Sequence, residues 1–528
     1  MSRYGQIHKK ARRFLFAACL FPENLYNITI MDIFLLDNDY KYAAEQMMLM
    51  LFPGERPVYP ASAAGTERGR AVTLRLCRGV TYTTAACCLA YDGAGARGYA
   101  RIRTERLHDD IERPRLEQRI LKLAFYRAAI AIGVPKPEWG CLTGVRPAKL
   151  LAGLIHRDGL SETAAVRMLT DTFDVSKERV SLALAAERAA AKAEATLAPE
   201  EVCLYIGIPY CPTRCAYCSF VSVDAPKLLK SIPDYLDALE QEMRSTAAAV
   251  KAAGRRIVAV YVGGGTPTTL SAPELDRLLT DTKACFDLSA CREFTVEAGR
   301  PDTVTEEKLA VLVSHGVDRV SVNPQTMSDA VLETIGRHHT AAEVREAVAM
   351  VKKFPQLAFN MDLIAGLPGD TPESFSDTVR EVIALGAENI TVHTLALKKG
   401  SRFLTEGTAL PDGKAVGKML GDAREKLEAA GYAPYYLYRQ KFMSGSFENV
   451  GWTKSGYENL YNICIMEELC GILAVGAGGS TKLTAPGGVV KRLMAPKYPR
   501  EYIDRIAQTC AEKDEIVRFY NSASKGKN

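Results

Sequence analysis

From residue 199 to about 400 the chain alternates short apolar, β-rich runs with amphipathic helical stretches. The apolar runs fall at 204–208, 257–262, 293–297, 319–322, 358–364 and 389–395. The helical stretches carry start and stop signals. Ser271 with Glu274 and Thr340 with Glu343 make capping-box pairs, and Pro372 fits the first turn after Thr371. Gly254, Gly316 and Gly386 stand where helices should end. Six strands alternating with helices imply parallel pairing through right-handed crossovers. The pattern therefore predicts an α/β fold built on a partial, TIM-like (β/α)6 barrel, open on one side.

The flanking regions are patterned differently. From Met31, MDIFLLDNDYKYAAEQMMLML reads as a strand and a helix; 31–36 and 72–77 read as strands and 113–132 as a helix. Residues 138–155 predict a glycine-containing turn and a helix, with Gly144 and Arg146 near its start as a cap or an anion site. The alanine-rich stretch 182–199 predicts a helix running into a linker, with Pro199 at a domain boundary. Residues 1–30 contain KKARRFLFAACLF, superficially like a short signal sequence but without a clean cleavage site; they are expected to be an extension outside the fold. Downstream, a helix is expected at 414–430 with Gly431 as its stop. The aromatic, basic run 434–445 suits a half-buried strand through alternating Tyr435, Leu437 and Arg439, and would also suit stacking on a flat ring. The layout expected is an extension (1–30), an N-terminal α/β accessory domain (31–198), a barrel core (199–410) and a C-terminal α+β extension covering the substrate (411–528).

The most restrictive chemistry follows the first barrel strand directly. Cys211, Cys215 and Cys218 form a C-x3-C-x2-C run in YIGIPYCPTRCAYCSF, where Pro209, Pro212, Thr213 and Arg214 describe a loop and not a packed helix face. Three thiolates this close can wrap a cubane (4Fe-4S) cluster, leaving one iron without a protein ligand and open to a small molecule. Zinc is the competing reading, but structural zinc sites close four ligands in paired knuckles, and no matching pair follows. Other candidates fall at or just past strand C-termini, where barrel enzymes place their chemistry. Gly263, Gly264 and Gly265, followed by Thr266 and Pro267, would let backbone approach a ligand. Glu297 needs a cation or donor if buried, and Arg300 is a possible ion-pair partner. Gln325 lies past the fourth strand, Asp362 on the fifth and Ala396 past the sixth. His338 and His339 are adjacent and so do not face one direction; solvated or rim positions are expected for them. His393, with Lys398, Lys399 and Arg402 after it, could meet carboxylates. Cys203 reads as a buried strand residue.

Taken in order, LYIGIPYC with Tyr205 and Gly207, YVGGGTPT (261–268), FTVEAGRPDT (294–303), RVSVNPQTM (319–327), IGRHHT (335–340) and MDLIAGLPGD (361–370) resemble the radical S-adenosylmethionine (SAM) superfamily. The likeness is greatest to its oxygen-independent coproporphyrinogen III dehydrogenases, particularly the HemZ type; FENVGW (447–452) and LAVGAGGSTKL (473–483) extend it. The resemblance implies a 4Fe-4S cluster on Cys211, Cys215 and Cys218. It implies SAM at Tyr205, Tyr217, Gly264, Gly265, Thr266, Glu297, Gln325, Arg337, Asp362 and Ala396. In that arrangement the glycine run meets the methionine end, Arg337 a carboxylate, Asp362 the ribose hydroxyls and Tyr217 the adenine. The implied activity is the oxidative decarboxylation of coproporphyrinogen III to protoporphyrinogen IX by a SAM-derived 5′-deoxyadenosyl radical. The implied partners are a tetrapyrrole substrate and an electron donor such as a flavodoxin or ferredoxin. Phe220 departs from the better-known enzymes of this reaction, which carry another cysteine there, and matches related haem chaperones. Those chaperones ligate haem through a His-Asn pair followed by Tyr-Trp, however, and Asn449 and Trp452 lack the histidine. A haem-delivering protein and a radical enzyme acting on another carboxylated substrate are the alternatives.

Composition bounds the reading further. The length of 528 residues allows about two to four domains. An apolar share of 47% and a charged share of 24% describe a globular protein. Net charge +5 without a lysine-rich run gives no sign of nucleic-acid binding, and no apolar stretch is long enough to span a membrane. Fourteen cysteines without disulfide-like spacing suit a reducing, cytoplasmic setting.

Overall fold

The computed structural model describes residues 29–60, 69–110, 112–218, 229–397, 401–440, 444–485 and 488–525. The expectations for most of residues 1–30, for Phe220 and for Lys398 and Lys399 fall outside the described residues. The chain divides into two compact units: residues up to Thr143 with Thr405–Gly407, and Gly144–Leu404 with Thr408 onward. Among the described residues no helix is long and apolar enough to cross a membrane.

The first unit is a five-stranded sheet with helices. Strand β1 (Thr29–Leu36) lies between β2 (Glu55–Val58) and β3 (Arg70–Arg78), parallel to both, and β4 (Tyr82–Tyr91) and β5 (Ala94–Arg103) extend it antiparallel. The hairpin joining β4 to β5 turns at Asp92 and Gly93, both with positive φ, as a two-residue Asp-Gly loop requires. Helix Glu112–Ala131 buries Leu116, Ile120, Leu121, Ala124 and Ala128. It lies so close to β5 that a Cβ on Gly98 would fall 2.0 Å from the Ala124 carbonyl oxygen. That oxygen belongs to helix backbone and cannot swing aside. Gly98→Ala is therefore expected to destabilise this unit by about 2 kcal/mol, read as a lower midpoint in thermal or denaturant unfolding.

The second unit contains the barrel. Strands β6 (Glu201–Ile208), β7 (Arg256–Gly264), β8 (Glu293–Glu297), β9 (Arg319–Ser321), β10 (Ala358–Ala365) and β11 (Asn389–Thr394) pair in parallel in sequence order. These are the six expected strands, and helices fill the crossovers between them. Both expected capping boxes form, at Ser271 with Glu274 and at Thr340 with Glu343. Gly254, Gly316 and Gly386 take positive φ where their helices end. The result is a partial TIM-like barrel.

Further strands widen the sheet on both edges. Strand β12 (Ala433–Tyr438) pairs with β13 (Asn449–Thr453), which runs antiparallel to β11. Strand β14 (Gly471–Val475) joins β6 in parallel, and β15 (Ser480–Ala485) and β16 (Val489–Met494) complete an eleven-stranded sheet. Residues 411–528 thus supply strands to the barrel's own sheet. Helix Lys177–Glu194 also belongs here, so the break between units falls at Thr143/Gly144 and not near Pro199. Apolar packing explains the shift. Ala190 sits in one cluster with Tyr435, Tyr436 and Ile463, and Arg179 pairs with Glu448 at 3.1 Å, both buried.

Candidate functional site at the barrel rim

The loop after β6 and the glycine run after β7 are stitched together by backbone. The Gly265 amide donates to the Ile208 carbonyl at 2.8 Å and the Thr266 amide to the Tyr210 carbonyl at 2.7 Å. A Cβ on Gly265 would lie 2.5 Å from the Tyr210 carbonyl oxygen, so only glycine permits this approach. Gly264 has φ +113, outside the range of an ordinary side chain. The cysteine loop is held on its other side as well. The Cys211 thiol lies 3.5 Å from the Thr266 hydroxyl, the Ala216 amide donates to the Ile335 carbonyl, and Arg300 donates to the Thr213 hydroxyl at 2.6 Å. Cys215 is buried, and Cys211 and Cys218 are half-buried.

Arg337 is buried below this loop. It donates to the Asn323 carbonyl oxygen. Burial opposes its charge, but the neighbouring Tyr217 and Cys215 raise its pKa and keep it a cation. Its Nε has no hydrogen-bond partner among the described residues, leaving an unused donor on a buried guanidinium. Gln325 is buried with φ 70, a left-handed conformation for a residue that has a side chain. Its amide donates to the Asp362 carbonyl and its own carbonyl accepts from Ile364. Such backbone is held by its surroundings at a cost of roughly 1–3 kcal/mol, and concentrates at functional sites.

Inside the barrel the wall is polar. Tyr261 donates to a Glu297 carboxylate oxygen at 2.5 Å. Burial, with the nearby Asp362 carboxylate, pushes the Glu297 carboxyl up to about 7. Asp362 behaves oppositely. Burial would raise its pKa, but His393, Asn360 and Thr391 hold it below the usual range; Asn360 donates to it at 2.7 Å, and the His393 ring lies 3.8 Å away. Tyr438, on β12, reaches His393 Nδ1 at 3.5 Å, and the Tyr436 hydroxyl lies 3.2 Å from Thr391. Tyr205 stacks on Tyr261 with centroids 6.4 Å apart. Ala396 is half-buried just past β11.

Several expectations need correction. Arg300 does not pair with Glu297: it holds Asp302 through two bonds, at 3.0 and 3.1 Å, and serves the cysteine loop. Of the two adjacent histidines only His338 is exposed. His339 is buried, neither ring nitrogen has a hydrogen-bond partner among the described residues, and burial with Arg337 and Arg300 pushes it down to about 4. The anion at Gly144 and Arg146 is the chain's own Glu468, 2.6 Å from Arg146. Asn449 is a structural residue of β13 whose side chain accepts from the Thr394 amide at 2.9 Å. Tyr435, Tyr436 and Tyr438 pack in one cluster with Ala190 and Ile463, and Tyr436 and Tyr438 also reach Thr391 and His393 on β11. A register shift between Pro434 and Tyr436 breaks the simple alternation expected of this strand.

A parallel partial barrel thus carries a three-cysteine loop, a glycine run and the buried Arg337 at the C-terminal rim of its strands. Comparison with known proteins shows the class to which it belongs. The pattern of the radical SAM superfamily matches residues 205–382. The oxygen-independent coproporphyrinogen-III oxidase-like protein HemZ of Bacillus subtilis is 38% identical over 382 residues, covering 71% of this chain and 76% of that protein. The haem chaperone HemW of Haemophilus influenzae is 32% identical over 302 residues, covering 57% and 75%. Among solved structures, the coproporphyrinogen III oxidase HemN of Escherichia coli, a radical SAM enzyme, superposes with TM-score 0.50 at 21% identity over 60% of this chain and 72% of that one. The chain belongs to the radical SAM superfamily, in the family of HemZ-type proteins. Its cofactors are accordingly a 4Fe-4S cluster and SAM.

Proposed function

We propose that this protein carries out the oxygen-independent decarboxylation of coproporphyrinogen III to protoporphyrinogen IX in the cytoplasm. Two propionate side chains become vinyl groups, each losing a hydrogen, carbon dioxide and one electron, the last to an external acceptor. A flavodoxin or ferredoxin is the reductant class that suits the cluster. The observation that carries the reading is that the match to HemZ, a coproporphyrinogen-III oxidase-like protein, is both longer and higher in identity than the match to HemW.

The residues present fit the two cofactors. Cys211, Cys215 and Cys218 are the proposed cluster ligands, on a loop pinned from both sides. Gly264 and Gly265 let the glycine run lie directly against the Ile208–Tyr210 backbone that leads into the cysteine loop, where a Cβ would not fit. Arg337 and Glu297 supply one buried cation and one half-buried carboxyl, matching the carboxylate and ammonium of an amino acid. Tyr205, Tyr217, Thr266, Gln325, Asp362 and Ala396 complete the proposed SAM contacts. When bound, the cluster and SAM supply one-electron reductive cleavage that yields a 5′-deoxyadenosyl radical. The chain's own part is to orient the substrate beneath that rim and keep competing hydrogen donors out. Tyr438 and His393 line the interior where a substrate edge would lie.

One consequence concerns pH. Glu297, faced by Tyr261, Asp362 and His393, must be ionised to hold the SAM ammonium. With its carboxyl near pKa 7, SAM affinity is expected to fall as pH drops through about 7, by up to about tenfold per unit, and to level off above it. Equilibrium dialysis of SAM against cluster-loaded protein between about pH 6 and pH 8 reads this slope, and Glu297→Gln should flatten it at low affinity.

A second reading, a haem chaperone, is favoured by the HemW similarity. Anaerobic incubation of reconstituted protein with SAM, dithionite and coproporphyrinogen III separates the two. SAM-dependent vinyl products identified by mass spectrometry support the decarboxylase. Stoichiometric haem binding without decarboxylation supports the chaperone and sinks the first proposal.

A further inference from the structure

Away from the rim, three cysteines meet at the N-terminal end of the barrel. Cys203 lies on β6, Cys464 on helix Leu460–Glu467, and Cys470 in the turn leading into β14. Their sulfurs all lie within 4.8 Å of one another, and Cys203 Sγ is 3.6 Å from Cys470 Sγ. All three are buried, at 0%, 0% and 6% exposure. We propose that this trithiol pocket is a second metal site, distinct from the cluster loop, that takes a single thiophilic cation in trigonal coordination, namely cuprous copper.

The geometry is that of one shared ion. Three sulfurs placed about 2.3 Å from a common ion in one plane lie about 4.0 Å apart, which agrees with the separations seen here. Cysteines around a cubane serve different irons and need not converge in this way. The donors come from three separate elements, yet they are held firmly. The helix plugs the barrel from below: the Glu293 carboxylate accepts from the Leu460 and Tyr461 amides at 2.8 and 3.1 Å. The helix ends at Glu468 in the left-handed conformation, and the Leu469 amide bonds back to the Cys464 carbonyl, which folds Cys470 towards Cys464. Arg146, Lys149 and Lys482 all pair with Glu468 and fix that turn.

The surroundings select the ion. The cysteines lie in an apolar cluster with Val258, Tyr461 and Ile472, and Leu469 packs against it. Soft sulfur donors in an apolar pocket disfavour magnesium, calcium and manganese, which take oxygen ligands. Zinc almost always completes four ligands in structural sites. The group offers three sulfurs and is shielded from solvent, so a monovalent ion content with three ligands fits better. Buried cysteines often serve only as small apolar side chains, but that role does not require three sulfurs to converge.

The test uses full-length protein in which Cys211, Cys215 and Cys218 are all changed to Ala, so the cluster loop cannot take up metal. Cuprous ion is titrated anaerobically against a chromophoric cuprous chelator, with X-ray absorption on the loaded sample. The expected result is one equivalent retained against the chelator, three sulfur neighbours, and protection of Cys203, Cys464 and Cys470 from alkylation. Adding Cys464→Ala, or separately Cys203→Ala, should abolish retention, with circular dichroism verifying that each variant folds. Failure to retain copper would overturn the proposal, as would retention unchanged by both added substitutions. Zinc retained in preference to copper, or a Cys203–Cys470 disulfide in anaerobically purified protein, would overturn it equally.

Discussion

Cys211→Ala is expected to remove the cluster and with it all SAM-dependent turnover, with activity at the background of the cofactor-free reaction. The thiol lies 3.5 Å from Thr266, at the junction of the cysteine loop and the glycine run. Removing one small, half-buried side chain leaves the backbone bonds at Gly265, Thr266 and Ala216 intact, so the fold should survive. Two remaining thiolates cannot hold three irons of a cubane. The checks are iron and sulfide content after anaerobic reconstitution, the cluster's electron paramagnetic resonance signal on reduction, and methionine or 5′-deoxyadenosine release from SAM. A variant that kept a full cluster with its vacant iron would show that Cys211 is not a ligand. Far-UV circular dichroism matching the parent chain makes loss of the metal centre, and not unfolding, the cause.

The barrel was legible because its signals are local. Each strand is an apolar run between caps and glycine stops, and Ser271–Glu274, Thr340–Glu343 and Gly386 do in three dimensions what their positions predicted. Placing the motifs at strand C-termini followed from the same reading, and brought Gly265, Arg337, Glu297 and Asp362 to one end of one barrel. The β4–β5 hairpin was missed although Asp92-Gly93 is a strong turn signal. Its strands, YTTAACCLAY and AGARGYARIR, are rich in Ala and Gly, which have low β propensity. They persist because Gly98 admits a close-packed helix that tertiary contact alone reveals.

Other features depended on distance along the chain. The Cys203–Cys470 approach spans 267 residues, and no pattern within one segment could pair them. The break at Thr143/Gly144 was hidden because helix Lys177–Glu194 looks like an exposed, alanine-rich connector. Its small residues are what let Tyr435 and Tyr436 pack against it. Arg300 misled for a different reason: Glu297 lies three residues before it, but strand geometry points Glu297 into the barrel, while Arg300 is taken by Asp302 and Thr213.

Arg337→Lys should leave the cluster in place and weaken SAM binding by about tenfold to a hundredfold. The guanidinium is buried, donates to the Asn323 carbonyl and lies against Tyr217 and Cys215, with Nε unpartnered among the described residues. Lysine preserves the charge but not the planar fork, so it cannot satisfy Asn323 and grip a carboxylate through two parallel bonds together. A lost hydrogen bond to a charged group is worth about 1.5–3 kcal/mol, and each 1.4 kcal/mol is about a factor of ten. The apparent KM for SAM should therefore rise far more than kcat falls, because the residue acts on binding and not on the reacting carbon. Arg337→Met would go further, leaving the Asn323 carbonyl without its donor and removing the cation altogether, and should cost stability as well as affinity. If Arg337→Lys bound SAM as the parent does while losing its iron, Arg337 would be a support of the cysteine loop through Cys215, and the carboxylate of SAM would have to be held elsewhere on the rim.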